Sequence, residues 1–249
     1  MFDNISIPTI LVSYVALLFS LSVHEASHAS MAYWLEDDTA ARLGRMTLNP
    51  LAHMDLLGTF VFPLMGLATG FPFIGWAKPV PVDPRKLTRR FSQRGGYALV
   101  ASAGPISNLI QAVVFLGIMF LVVKAVVPAP ELEYPVFVRS LLAMRVESLQ
   151  VLQLGTTATL FLALLGRLVL INLGLALFNL LPMGPLDGAG ILRGFLPWRW
   201  LPKFDRAQPW MGGILIVLAL TGLLGYVLGP VFGLLFYGIE LVARLVLRF

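Results

Sequence analysis

The chain has 249 residues, 58% of them apolar and only 12% charged, with a mean hydropathy of +0.84. These values exclude an ordinary soluble domain and indicate a protein whose surface faces lipid. The net charge of +5 arises from basic residues gathered in a few loops with no RNA- or DNA-binding pattern, so it implies membrane orientation and not a nucleic-acid partner. No cysteine is present, which leaves histidine and carboxylate to hold any metal.

Apolar stretches fall near residues 5–34, 56–75, 97–127, 151–182, 211–228 and 230–247, without an internal repeat. They predict an all-α polytopic membrane protein of five to six transmembrane or re-entrant segments. Only Asp3 is charged before Glu25, and the N-terminus lacks a positive n-region, so the first stretch is expected to persist as a helix. That helix carries His24-Glu25-Ala26-Ser27-His28, an H-E-x-x-H motif, and then runs into the interfacial aromatics Tyr33 and Trp34 and the polar Glu36-Asp37-Asp38. A charge at membrane depth costs about 2.5–3.5 kcal/mol on insertion scales, so such a cluster marks function by default. Positions four apart share a helix face, which lets both imidazoles reach one metal ion while Glu25 lies at the edge of that face.

The second stretch is broken by Gly58, Pro63, Gly66, Gly70 and Pro72. Pro79, Pro81 and Pro84 follow, forbidding helix and favouring a short extended hairpin near residues 76–82 at the membrane surface. Lys78, Arg85, Lys86, Arg89, Arg90 and Arg94, against the single acid Asp83, place the next loop on the cytoplasmic side. Arg193, Arg199, Lys203 and Arg206 mark another cytoplasmic loop, and Arg244 and Arg248 put the C-terminus there as well. Arg42 and Arg45 give the loop at 36–55 the same side, so the N-terminus lies outside. Residues 56–75 therefore cannot make one complete crossing and are expected to re-enter, buried against the catalytic helices. Trp198, Trp200 and Trp210 read as interface anchors. The division expected is a core at 1–195 and a terminal transmembrane hairpin at 196–249.

A second constellation runs from Asn179 to Gly188, where Pro182, Gly184 and Pro185 unwind the fourth stretch and turn Asp187 inward. A catalytic zinc needs three protein ligands and an open position, and Asp187 is the natural third, because His53 and the other carboxylates lie in more polar, loop-like settings. His53 with Asp55 reads as a structural loop pair. Gly104 and Asn108 read chiefly as positions that let helices pack closely.

On HEASH, the Leu186-Asp187-Gly188 motif, Asn179 eight positions before Asp187, and Ala103-Gly104-Pro105-Ile106-Ser107-Asn108, the chain resembles the site-2 protease family of intramembrane zinc metalloproteases. Leu48-Asn49-Pro50-Leu51-Ala52-His53-Met54-Asp55 and the Trp76 to Val82 segment resemble a compact prokaryotic branch of it, without a PDZ-like or nucleotide-sensing module. The resemblance covers roughly residues 10–195. It departs at Leu56, where such members often carry proline, and at Ala189, where a second glycine is common. It implies a prokaryotic membrane enzyme that binds one zinc ion per chain through His24, His28 and Asp187, uses Glu25 as general base, and cleaves transmembrane segments of protein substrates. Asn179 is a candidate donor to the developing oxyanion, and the segment at 76–82 a candidate for strand addition to unwound substrate.

Two other functions use similar residues. Histidines and acids inside membranes also mark metal-ion or proton transport, although a transporter should show repeats or a polar trail, whereas here the ionisable groups appear as one cluster near one face. An inactive membrane scaffold of the same fold would have no need of Glu25.

Overall fold

The computed structural model describes residues 7–61, 77–88, 90–126 and 155–247, and all regular structure among them is helical. Helix α1 (Ile7–Trp34) has Pro8 in its first turn, where proline is tolerated, and no proline or glycine after it. Ser22, Ser27 and Ser30 each donate to the carbonyl four residues back at 2.7 Å, so their hydroxyls are satisfied within the helix. Glu36 ends α1 in a left-handed conformation (φ 75°), and Asp37 N–H turns back to the Ala32 carbonyl at 2.9 Å. A single turn, α2 (Thr39–Arg42), follows.

Helix α3 (Gln93–Val126) and helix α4 (Thr156–Asn179) form the centre of the bundle, and α3 packs against α1 and α4. Pro105 lies inside α3 without breaking it. A short helix, α5 (Asp187–Phe195), follows the turn after α4 and lies against α3. The approach is close enough that a Cβ at Gly194 would stand 2.5 Å from the Cβ of Ala98. The chain closes with α6 (Leu201–Leu220) and α7 (Leu223–Val246).

Three described helices are long and apolar enough to cross a membrane, at Gln93–Val126, Thr157–Asn179 and Leu223–Val246. Helix α1, which carries the polar residues around His24, packs beside α3 and α4. The main apolar cluster joins Met119, Phe120 and Val123 of α3, Leu162, Leu165 and Val169 of α4, and Ile239 and Ala243 of α7. A smaller one seats Leu87 against Ala32 and Leu35 at the end of α1 and Val100 of α3.

Some expectations change. The extended hairpin does not form as paired strands: residues 77–83 have no regular secondary structure, and no strand occurs among the described residues. Pro79 and Pro81 remove ladder donors, and the N–H of Lys78 bonds the His53 carbonyl at 2.9 Å instead. The terminal hairpin turns at Thr221-Gly222, with Gly222 left-handed (φ 75°), inside the apolar stretch read as 211–228. Pro230 sits in the third turn of α7, because the left-handed glycine supplies the earlier and stronger stop. Of the expected re-entrant segment, Leu56–Val61 forms one π-helical turn; Pro63, Gly66, Gly70, Pro72 and Trp76 lie outside the described residues, as do Arg89, Arg248 and the connection at 128–148.

Candidate metal centre

His24 and His28 occupy consecutive turns of α1, and Asp187 is the first residue of α5, delivered by the turn that Pro182, Gly184 and Pro185 impose after α4. The three converge. His24 Nε2 and His28 Nε2 are 3.1 Å apart, and Asp187 Oδ2 lies 3.2 Å from the first and 3.3 Å from the second. Both histidines are buried, Asp187 is partly so, and together they are the one His/Asp/Glu group among the described residues arranged to hold a metal ion.

The other face of each imidazole shows which atoms carry protons. His28 Nδ1 meets the Val100 carbonyl at 2.7 Å and His24 Nδ1 meets Asn108 Oδ1 at 2.5 Å. Both partners are acceptors, so both Nδ1 atoms donate, and each ring in its neutral form presents a bare Nε2 lone pair to the other. Asp187 Oδ2 faces them, buried and without a hydrogen-bond donor. Three lone-pair donors held this close repel unless a cation lies among them. Ligands of a tetrahedral zinc at about 2.0–2.2 Å stand about 3.3–3.5 Å apart, so the observed triangle is nearly the right size. Residues and geometry therefore fit zinc.

Helix α3 closes one side of the triangle. A Cβ at Gly104 would stand 2.5 Å from His24 Cε1, so only glycine lets α3 lie against the two rings. On the other side, α5 is tied to α6 by Arg193, whose Nε and Nη2 meet the Asp205 carboxylate at 2.8 and 3.0 Å. That guanidinium holds the Asp205 carboxyl below the usual carboxylate range.

The sequence profile of peptidase family M50 matches residues 12–222. The chain belongs to this family. It is similar to "Putative zinc metalloprotease YwhC" of Bacillus subtilis, at 36% identity over 218 residues, 87% of this chain and 83% of that protein. It is also similar to "Putative zinc metalloprotease Rip2" of Mycolicibacterium smegmatis, at 33% identity over 102 residues, 41% of this chain and 37% of that protein. No solved structure matches the chain at a significant level.

In this M50 chain, Glu25 is buried beside His24, and its Oε2 accepts the N–H of Val80 at 3.1 Å. The segment carrying Val80 is pinned at both ends. Buried Arg45 donates to the Lys78 carbonyl, and Asp37, fully buried, accepts the N–H of Asp83 at 2.7 Å and that of Thr39 at 3.0 Å. No residue spacing announces this strap over Glu25. Its Val80 N–H, a donor that strand addition would use, is engaged by Glu25 in this structure.

Asn179 is partly buried, and its Nδ2 donates to the Leu175 carbonyl of its own helix at 3.0 Å. His53 is buried with Nε2 2.7 Å from the Thr47 carbonyl, while Asp55 accepts the N–H groups of Leu57 and Gly58, so the two serve separate contacts. Two features escaped sequence reading. Asn172, fully buried on α4, contacts Asn108. Arg167 is buried inside the same membrane-spanning helix, so the ionisable groups do not form a single cluster.

Proposed function

We propose that the protein is an intramembrane zinc metalloprotease that hydrolyses peptide bonds within or near transmembrane segments of other membrane proteins. The convergence of His24 Nε2, His28 Nε2 and Asp187 Oδ2 within a bundle of membrane-length helices carries this reading. These three residues would hold one zinc ion per chain. Zinc there supplies a Lewis acid for the scissile carbonyl and acidifies water to a pKa near 7.

Glu25 is the general base and then the acid: its carboxylate takes the proton of the attacking water and passes it to the leaving amine. The Val80 N–H bonds Glu25 Oε2 at 3.1 Å and so orients the carboxylate that accepts that proton. Asn179 serves the developing oxyanion if its amide exchanges Leu175 for substrate. The basic loops support a topology with the metal end of the bundle, the strap and the C-terminus on the cytoplasmic side and the N-terminus outside a prokaryotic cell membrane. Residues 1–195 are the catalytic core and 196–249 its terminal hairpin. A lipid bilayer and a single-pass protein substrate are the partners this requires. Transport is the weaker reading, since no transmembrane trail of acids leads away from the triangle among the described residues.

The test is purified, zinc-loaded protein incubated with a panel of single-pass substrates. Glu25→Gln keeps zinc and fold but abolishes cleavage, because an amide cannot accept the proton; wild-type turnover in that variant would remove Glu25 as the base. Asn179→Ala binds zinc normally and slows cleavage by about 10- to 1,000-fold; an unchanged rate would return Asn179 to a role in packing.

A further inference from the structure

The two histidines of the triangle are aimed by different means. His28 is held by a backbone carbonyl, that of Val100, which no side-chain substitution removes. His24 is held by a side chain, and that side chain is itself held. Asn108 uses its Oδ1 to accept from His24 Nδ1 and its Nδ2 to donate to Asn172 Oδ1 at 2.7 Å. Asn172 Nδ2 in turn donates to Ser20 Oγ at 2.9 Å and to the Leu168 carbonyl at 2.8 Å. Asn108, Asn172 and Ser20 are all fully buried.

The polarity of this chain is self-consistent and one-directional. Asn172 is fixed by the Leu168 carbonyl, which can only accept from its amide nitrogen, and this leaves its oxygen toward Asn108. That oxygen fixes the Asn108 amide with nitrogen toward Asn172 and oxygen toward His24. An oxygen at that point accepts only from an Nδ1–H tautomer, which leaves Nε2 bare. The flipped Asn108 amide would set an N–H₂ against His24 and an oxygen against the Asn172 oxygen, so it is disfavoured at both ends.

We propose that Asn108 and Asn172 are positioning residues for His24, and that their chain selects the ring tautomer and direction that aim Nε2 at the metal. The inference rests on the reading of His24 as a metal ligand. It also differs from the ordinary use of buried asparagines as links between membrane helices: linking α1, α3 and α4 requires hydrogen bonds of either polarity, whereas positioning requires an acceptor facing His24.

Substitution at Asn108 separates the two. Asn108→Asp keeps an acceptor toward His24, and Asn108→Leu removes it at similar volume. With three histidines in the chain, ¹⁵N-histidine spectra of the metal-free protein in detergent resolve each ring, and His28 is an internal control. Wild type and Asn108→Asp are expected to hold His24 in the Nδ1–H form, with zinc affinity by chelator competition within a few-fold of each other. Asn108→Leu is expected to shift His24 toward the Nε2–H form and to lose about 10- to 100-fold in zinc affinity, with the His28 tautomer unchanged. Asn172→Ala, which leaves Asn108 present but unanchored, is expected to lose about tenfold and decides the matter if the leucine variant fails to fold. An unchanged His24 tautomer and zinc affinity in the leucine or alanine variant would overturn the proposal. Equal losses in Asn108→Asp and Asn108→Leu would also overturn it, as expected of a packing role. The tautomer measurement needs no metal, so a wild type that bound no zinc would refute the metalloprotease reading and leave this inference to be settled by the ring.

Discussion

Helices α3 and α4 are each divided into two ends that solve burial in opposite ways. At the metal end, Asn108 and Asn172 are fully buried and every amide group that faces a neighbour has a partner. Further along the same helices, Met119, Phe120, Val123, Leu162, Leu165 and Val169 form an aliphatic cluster with α7, and the nearby polar side chains are less well served. Gln111 has neither amide atom bonded and Arg167 has one guanidinium nitrogen unbonded, among the described residues. Ordered hydrogen bonding is therefore concentrated where ring orientation matters, and elsewhere packing alone suffices. The two ends should respond differently to substitution.

The largest effect belongs to the metal end. His24→Ala, His28→Ala and Asp187→Ala each remove one of the three proposed ligands, and zinc affinity should fall by more than the roughly 100-fold that marks loss of an outer hydrogen-bond partner. Cleavage should be lost with it. Elemental analysis of the purified variants checks this, and full zinc content in Asp187→Ala would exclude it as a ligand. The fold should survive, since the aliphatic cluster is untouched.

Leu162→Ala is the matching change at the other end. Its side chain is fully buried among α3 and α7, so truncation opens a cavity and should cost about 2–4 kcal/mol of stability. Zinc affinity of the folded protein should stay at the wild-type value, because no ligand or partner moves. Thermal unfolding in detergent and chelator competition measure the two quantities separately. A tenfold loss of zinc affinity would show that the ends are mechanically coupled.

The same division explains what was legible in the sequence. His24 and His28 lie four apart, with Glu25 beside the first, on an uninterrupted helix, and the Pro182, Gly184 and Pro185 breaks before Asp187 announce a turn, so both halves of the triangle could be read from spacing. That they meet is a tertiary fact, supported in advance by zinc's need for a third ligand and by the family resemblance. Asn172 left no such trace: a single asparagine in an apolar helix has no spacing signature, and its partners Ser20 and Asn108 are 152 and 64 residues away. The strap over Glu25 was equally hidden, because it acts through the Val80 backbone and is clamped by Asp37 and Arg45 from a distant loop. Its prolines were correctly read as excluding helix, but they equally exclude the donors that a hairpin would need. The terminal turn falls at Gly222, which adopts φ 75°, inside the apolar stretch read as 211–228.

The smallest effect should come from the charged link between the core and the terminal hairpin. Arg193 closes the last turn of α5 and pairs bidentately with Asp205 in the second turn of α6, yet their side chains remain 39% and 44% exposed. Exposed pairs contribute about 0.2–1 kcal/mol, and screening by salt reduces even that. The contacts that seat α5 lie elsewhere, where Gly194 meets Ala98 on α3 and the turn from α4 sets the position of Asp187. Arg193→Gln should therefore leave zinc affinity unchanged and alter cleavage by less than about fivefold, with the difference shrinking at high salt. Chelator competition and turnover at low and high ionic strength check both parts. A tenfold or larger loss of zinc affinity would mean that α6 holds Asp187 in place through this pair, and the metal end of the bundle would then have to include the terminal hairpin.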